Sequence, residues 1–80
     1  MPAIHVQYFA ILREQRGLAQ EELVVTVATA GELYEQLRQR HRFTLPLARI
    51  RVAVNDEFVS AETTLRDHDR VVFIPPVAGG

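Results

Sequence analysis

The segment TAGELYEQLRQRH, residues 29–41, carries the pattern that decides the fold. Thr29 and Glu32 have the spacing of a capping box, in which each side chain accepts a hydrogen bond from the other residue's backbone N–H. Leu33 and Leu37 follow one helical turn apart, so they share a helix face. Glutamates near the start and arginines near the end suit the helix dipole. The segment therefore predicts one amphipathic helix packed on one face of a sheet.

Apolar residues alternate with polar ones on both sides of this helix, which is typical of strands. The predicted strands are residues 3–10, 23–27, 50–54, 57–60 and 70–74, with a short helical turn at 11–14. Asn55-Asp56 is a turn pair between the third and fourth strands. The order ββαβββ defines an α+β domain over residues 1–74. Two hairpins on one helix favour a β-grasp arrangement, in which the first and last strands are parallel neighbours of a mixed sheet.

Composition restricts the classes of function. Eighty residues form one small domain with no room for a self-contained enzyme cleft. A formal charge of −1 with dispersed basic residues gives no sign of nucleic-acid binding, and no apolar run has the length of a membrane span. We therefore expect a cytoplasmic protein with neither a nucleic-acid nor a membrane partner. His5, His41 and His68 lie on different elements, so no metal site is predicted.

Two residue types are missing from the chain. It has no cysteine and no lysine, and all nine basic residues are arginine. Without cysteine there is no disulfide and no thiolate, so any sulfur chemistry would use sulfur supplied from outside. Without lysine there is no side-chain amine that an activated carboxyl group could acylate. Arginine-biased codon usage explains the same composition, and both explanations stay open.

The chain ends in Pro75-Pro76-Val77-Ala78-Gly79-Gly80, which we expect to form an extended tail. Proline fixes φ and donates no N–H, so a sheet ladder must stop near Ile74. The six following residues can span roughly 20 Å. Glycines have no Cβ and can enter a narrow channel of a partner, where an enzyme could adenylate the terminal carboxylate with ATP. A diglycine also occurs by chance at frayed chain ends, so the pair alone leaves both interpretations open.

Five segments of the chain match a known family: Tyr8-Phe9-Ala10, Arg13-Glu14, Ala53-Val54-Asn55, residues 65–71 and residues 73–80. Through them the whole chain resembles the small subunit of molybdopterin synthase, the MoaD type of the ubiquitin-like sulfur-carrier family. The terminal Pro-Pro-Val-x-Gly-Gly is the most specific of these motifs. His68 departs from the family, whose loop usually has glycine there. A left-handed turn at this histidine would reduce local stability.

The resemblance implies a ubiquitin-like β-grasp fold and a chemistry for Gly80. An E1-like enzyme would adenylate its carboxylate with ATP, and sulfur from a donor would displace AMP to leave a thiocarboxylate. The large synthase subunit, which holds the catalytic residues, would transfer this sulfur to a pterin precursor of the molybdenum cofactor. The resemblance implies a heterotetramer in which this chain is non-catalytic and binds no cofactor. Gly79 would permit threading, while Pro75 and Pro76 would set the direction of the tail.

Strand parity predicts where a partner docks. If the apolar residues of the first strand face the helix, Phe9 points outward, and Val72 and Ile74 face outward on the last strand. Because those strands are parallel neighbours in a β-grasp sheet, Phe9 and Ile74 should meet at the root of the tail, with Ala53 on the next strand. An apolar patch on an exposed sheet face indicates an interface. Scattered exposed apolar residues, which are normal on any surface, are the alternative.

Three other functions remain open. The same tail chemistry could deliver sulfur for thiamin, a thiolated tRNA base or cysteine. The chain could instead be a ubiquitin-like modifier that forms isopeptide bonds with lysines of target proteins. It could also be an interaction module whose diglycine is incidental. The double proline before valine favours molybdopterin synthesis over the other sulfur pathways, but it separates sulfur carriage from protein modification poorly.

Overall fold

The main helix, α2 (Ala30–His41), packs on one face of a five-stranded sheet. The computed structural model describes residues 2–76. The other elements are β1 (Ala3–Tyr8), α1 (Ala10–Arg16), β2 (Gln20–Val24), a 3-10 turn (Leu47–Arg49), β3 (Arg51–Val54), β4 (Glu57–Val59) and β5 (Arg70–Ile74). The strand order is β2-β1-β5-β3-β4, with β1 and β5 parallel and the other neighbours antiparallel. The predicted α+β class, with its mixed sheet and one main helix, is confirmed.

The capping box at the start of α2 forms as predicted. The Glu32 N–H donates to Thr29 Oγ1 at 3.2 Å, and the Thr29 N–H donates to Glu32 Oε1 at 3.2 Å. Arg42 follows the last helical residue and caps the helix with a left-handed φ of 58°, and the Phe43 N–H then donates to the Arg38 carbonyl at 3.1 Å. This C-terminal turn directs Phe43 into the core, where it is 3% exposed.

Aromatic side chains fill the core at the point where the two central strands end. The Tyr34 ring centroid lies 5.2 Å from that of Phe73 and 5.9 Å from that of Phe43, and Tyr8 lies 5.9 Å from Phe43. The Tyr34 hydroxyl donates to the Leu45 carbonyl at 2.7 Å, and burial raises the pKa of Tyr34 to about 12. Tyr8 and Phe73 are register partners, so this cluster fixes the ends of β1 and β5 relative to each other.

The predicted boundaries of the first strand and the turn after it need correction. β1 ends at Tyr8 and not at residue 10, and the short turn is a seven-residue helix, α1. Leu12 is buried on this helix, which ends at Gly17, where φ is 86°. The Gly17 N–H donates to the Arg13 carbonyl at 2.8 Å. One buried leucine in seven residues is too weak a periodic signal to define a helix in the sequence.

The prediction for the second strand was three residues late. The ladder with β1 runs over Gln20–Val24 and not over residues 23–27. Leu23, Val25 and Val27 do reach the core, as their alternation indicated. The register of an antiparallel pair depends on where the chain turns back, and the left-handed Gly17 turns it early. The residues of this segment that pair with β1 therefore begin and end earlier in the chain than those that contact the core.

The start of β5 is held by a network of polar side chains. Asp67 Oδ1 accepts from the Ala3 N–H at 2.8 Å, and Asp69 Oδ2 accepts from the Arg66 N–H at 2.8 Å. Asp69 Oδ1 also accepts from Asn55 Nδ2 at 2.9 Å, which joins this loop to the β3–β4 turn. These carboxylates bind the backbone and a neighbouring amide, as expected for turn residues.

Three residues of these turns adopt positive φ: Asn55 at 52°, Asp56 at 72° and His68 at 70°. Asparagine and aspartate tolerate the left-handed region better than other residues with a side chain, and Asn-Asp is a suitable pair for a two-residue hairpin turn. His68 occupies the left-handed conformation that the sequence anticipated. The strain there falls on a loop at the far end of β5 from the tail.

Candidate functional site

The root of the tail lies where β1 and β5 end side by side. Because Tyr8 and Phe73 are partners in the parallel register, the residues after them, Phe9 and Ile74, lie at the same end of the sheet. Both line a groove of about 730 Å³. The groove is bounded by Phe9, Ala10, Ile11, Arg13, Glu14, Leu45, Ile74, Pro75 and Pro76. Strand parity and parallel pairing therefore bring together the two residues that the sequence placed there.

The first residue of the predicted tail, Pro75, packs against the domain, and the boundary between domain and tail stays a prediction. Val71 and Phe73 face the core, and Pro75 continues this alternation and is also buried. Pro76 is the first exposed residue after Ile74, so the described chain stays packed through Pro75. Proline adopts extended φ without a ladder hydrogen bond, which allows the inward alternation to outlast the strand. The predicted tail residues Val77, Ala78, Gly79 and Gly80 lie outside the described residues.

The outer face of the sheet continues the apolar surface away from the groove. Ala53 pairs with Val72 on one side and with Phe58 on the other, so the three side chains form one row across β5, β3 and β4. Phe58 is 65% exposed, and the Arg51 guanidinium carbon lies 5.5 Å from its ring centroid. Phe9 is 42% exposed. We call Phe9, Ala53, Phe58, Val72 and Ile74 the tail-root surface.

The members of the tail-root surface contribute unequally. Ala53 is 8% exposed and lies between its cross-strand neighbours, so it forms the floor and offers little area to a partner. Val72 and Ile74 are half-buried, whereas Phe9 and Phe58 stand clear of the sheet. Aromatic residues with exposed rings are the side chains that most often anchor interfaces. Partner binding by these residues stays a prediction, and Phe9 and Phe58 are its strongest points.

Phe58 was missed in the sequence, although a signal for it was present. A two-residue turn at Asn55-Asp56 fixes the hairpin register, so Val54 must face Glu57 and Ala53 must face Phe58. Once Ala53 is placed on the outer face, Phe58 has to join it there. The predicted strand at residues 57–60 was treated without reference to this pairing, which is why its exposed phenylalanine was overlooked.

A partly buried polar network joins α1, which forms one wall of the groove, to the sheet. Glu21 on β2 accepts from both Arg16 Nε and the Tyr8 hydroxyl at 2.7 Å, and its second oxygen accepts from an Arg16 terminal nitrogen at 2.7 Å. The Arg16 hydrogen bonds lower the pKa of Glu21, and burial raises the pKa of Tyr8. Glu21 is therefore ionised at neutral pH and ties the end of α1 to β1 and β2. This network holds the α1 wall of the groove in place.

The groove is lined mainly by apolar side chains. Its charged side chains within the described chain are Arg13 and Glu14, which lie at its edge and are both exposed. Residues 2–76 contain no group of three or more histidine, aspartate or glutamate side chains placed to hold a metal ion. What the arrangement offers is apolar contact area beside the root of the tail.

Known proteins match the chain along its full length. The ThiS family profile matches residues 6–80. The molybdopterin synthase sulfur carrier subunit of Mycobacterium tuberculosis (strain ATCC 25618 / H37Rv) is 39% identical over 83 residues, and the match covers 100% of both chains. No helix within residues 2–76 has the length and apolar character needed to cross a membrane.

Solved structures show the same fold. One is the complex of subunits 1 and 2 of the molybdopterin-converting factor from Helicobacter pylori 26695. Its similar chain has a TM-score of 0.64 and 25% identity, with 98% of this chain and 99% of that chain covered. Caldiarchaeum subterraneum ubiquitin has a TM-score of 0.63 and 21% identity, covering 99% of this chain and 98% of its own. The predicted ubiquitin-like β-grasp fold is confirmed.

Proposed function

The chain belongs to the ThiS family, and on this premise we propose that it is the sulfur-carrying small subunit of a molybdopterin synthase. One observation carries the proposal: the apolar tail-root surface lies where the chain leads through Pro75 and Pro76 toward Gly79-Gly80. A surface at this place can dock a partner and aim the tail into its active site in one binding event. The full-length similarity to a protein named a sulfur carrier subunit supports the same role.

Gly80 carries the reacting carbon in this proposal. Its carboxylate oxygen attacks the α-phosphorus of ATP on an adenylating enzyme, which releases pyrophosphate and leaves a mixed anhydride. Sulfide then displaces AMP, and Gly80 ends in a thiocarboxylate. If the donor is a persulfide, the acyl disulfide that forms is cleaved by a thiol, which leaves as a disulfide with the donor sulfur and releases the same thiocarboxylate. The large subunit transfers this sulfur to a pterin precursor, while water supplies the oxygen that restores the carboxylate. The small subunit presents the tail, and the catalytic residues lie on its partners.

The position of the tail-root surface also means that the two partners bind one after the other. The adenylating enzyme and the large subunit must each receive the same tail, so each must dock near its root. Phe9 and Ile74 line the groove at the root of the tail, and two large proteins cannot cover them together. We therefore expect mutually exclusive binding, with loading preceding transfer. In its final complex the chain joins the large subunit in a heterotetramer, and the whole cycle takes place in the cytoplasm.

Intact mass tests the proposal directly. The full chain is incubated with its adenylating enzyme, ATP and a sulfide source, and the expected product has one oxygen replaced by sulfur. A variant lacking Gly80 is the matched control, because it keeps every residue of the domain and removes the reacting carbon. The absence of any ATP-dependent mass change in the full chain would falsify the proposal.

A second step identifies the sulfur acceptor. Addition of the large synthase subunit and the pterin precursor should return the loaded chain to its original mass, with the sulfur recovered in the pterin. A loaded chain that keeps its sulfur under these conditions would instead be a carrier for another acceptor, such as a precursor of thiamin, a thiolated tRNA base or cysteine. An amide bond between Gly80 and a lysine of another protein would identify a modifier.

A further inference from the structure

Two arginines lie beside the root of the tail. Arg13 lines the groove together with Pro75 and Pro76. Arg51 is the register partner of Ile74 on the neighbouring strand, which places their Cα atoms about 5 Å apart. Both side chains are exposed. A guanidinium therefore lies on the α1 side and another on the β3 side of the tail root, and Glu14 lines the groove beside Arg13.

Local contacts do not explain the choice of arginine at position 13. Arg16 needs its guanidinium, because it binds both oxygens of Glu21. Within residues 2–76 the Arg13 guanidinium makes no hydrogen bond or ion pair, so a lysine would serve its contacts equally well. Arg51 lies over the Phe58 ring, a position that a lysine ammonium can also take. The difference between the two residue types at these positions is one of reactivity.

That difference matters beside an activated acyl group. At pH 8 roughly 0.4% of an ordinary lysine is the free amine, whereas the free-base fraction of arginine is lower by a factor of about 100 or more. An acyl adenylate on Gly80 lies at the end of six residues that reach roughly 20 Å from Ile74. Both arginines are within that radius. A lysine at either place would attack the carbonyl carbon, form an amide, expel AMP and release a proton.

We infer that Arg13 and Arg51 place guanidinium groups at the root of the tail, where lysine would offer an amine to the activated terminus, so that no side chain at the tail root competes with external sulfur nucleophiles for the acyl group. The inference rests on the proposed function. It explains the absence of lysine from the chain, most directly at these two positions.

The test introduces lysine at positions near to and far from the tail. R13K and R51K place an amine at the tail root. R66K is the control, since the Arg66 N–H bonds to Asp69 at the opposite end of β5. Each full chain is incubated at low micromolar concentration with the adenylating enzyme and ATP, but without a sulfur source. Pyrophosphate exchange reports adenylation, and intact mass with peptide mapping reports an internal amide, which lacks one water and resists hydroxylamine.

R13K and R51K should accumulate the internal amide, and wild type and R66K should not. In R13K and R51K the tail links the acyl group to a nearby lysine of the same chain, which gives an effective amine concentration of roughly millimolar. Because the chains themselves are at low micromolar concentration, we expect about a hundredfold more amide from these variants than from R66K. Normal exchange without amide in both near variants would overturn the inference and leave the proposed function intact. Absence of exchange in wild type would instead refute the proposed function.

A second measurement removes the enzyme, in case it does not accept a variant. The full chains are prepared as C-terminal thioesters, and the loss of thiol to the internal amine is followed by mass. The inference requires faster aminolysis in R13K and R51K than in R66K. Equal rates in all three variants would overturn it.

Discussion

The two ends of the parallel pair β1 and β5 differ in their surroundings: one end is closed by hydrogen bonds, and the other carries an exposed apolar groove. At the start of the strands, Asp67 and Asp69 bind backbone N–H groups at 2.8 Å and close the loop with the domain's own side chains. At the other end, Phe9 and Ile74 line an open apolar groove at the root of the tail. The first end satisfies its polar groups internally. Among the described residues, the second leaves apolar side chains facing water, as surfaces that bind a partner do.

This difference separates stability from binding within a small domain. Hydrogen bonds to a charged acceptor contribute to folding whether or not a partner is present. Exposed aromatic rings contribute little to folding and become favourable when an interface removes them from water. We therefore expect substitutions at the polar end to lower the free energy of unfolding at unchanged affinity. Substitutions at the tail root should lower affinity in a domain that remains folded.

Phe9→Asp should produce the largest effect. It places a carboxylate at the centre of the proposed interface, where binding would have to desolvate the charge. We expect a loss of about 2–4 kcal/mol, or roughly 30- to 1000-fold in Kd for the large synthase subunit. Phe9 is already 42% exposed, so circular dichroism and thermal unfolding should show an intact fold. Isothermal titration calorimetry measures the affinity.

Val24→Asp is the matched control for that experiment. Val24 is also an exposed apolar residue, at 69%, but it lies on the edge strand β2, two strands away from β5. A charge there should leave the affinity within a factor of about 2. Equal affinities for wild type and Phe9→Asp would remove Phe9 from the interface. Equal losses for both variants would show that the effect is one of net charge.

Asp69→Ala tests the polar end. Its carboxylate accepts from the Arg66 N–H at 2.8 Å and from Asn55 Nδ2 at 2.9 Å, so the substitution leaves two donors without their acceptor. We expect the free energy of unfolding to fall by about 2 kcal/mol and Tm by roughly 10 °C. Urea titration and thermal scans measure both quantities.

The affinity of Asp69→Ala for the large subunit should be unchanged at a temperature where the variant is folded. Glu62→Ala is the control for the removal of a carboxylate, because Glu62 is exposed in a different loop, and it should change stability by less than about 0.5 kcal/mol. A loss of affinity in Asp69→Ala at full folding would show that the two ends of the strands are coupled.

Much of the framework could be predicted because it follows from local rules. The capping box needs only Thr29 and Glu32 at the right spacing, and β5 begins and ends where its alternation and Pro75 require. The meeting of Phe9 and Ile74 could be predicted from two rules: side chains alternate between the faces of a strand, and the first and last strands, β1 and β5, pair in parallel. Each of these steps depends on a few neighbouring residues or on one rule of topology.

The features that escaped prediction depend on pairing between segments. The β2 ladder over Gln20–Val24 is set by the Gly17 turn, whereas the visible alternation of Leu23 and Val25 reports burial. Phe58 joins the tail-root surface only through its register with Ala53. Pro75 is buried because the inward alternation of β5 continues after its hydrogen bonds stop. A search for pairing partners at each predicted turn would have identified Phe58, but not the offset in β2.

His68→Gly gives the smallest expected effect and refines the account of the polar end. His68 has a φ of 70°, which costs a residue with a Cβ about 1–2 kcal/mol, while glycine adds roughly 0.5–1 kcal/mol of chain entropy to the unfolded state. The difference predicts a gain of about 0.5 kcal/mol in the free energy of unfolding. His68→Ala removes the same imidazole but keeps the Cβ, so it should give no gain. If both variants stabilise the domain equally, the imidazole and not the backbone is the unfavourable feature, and the polar end is less strained than its dihedral angle indicates.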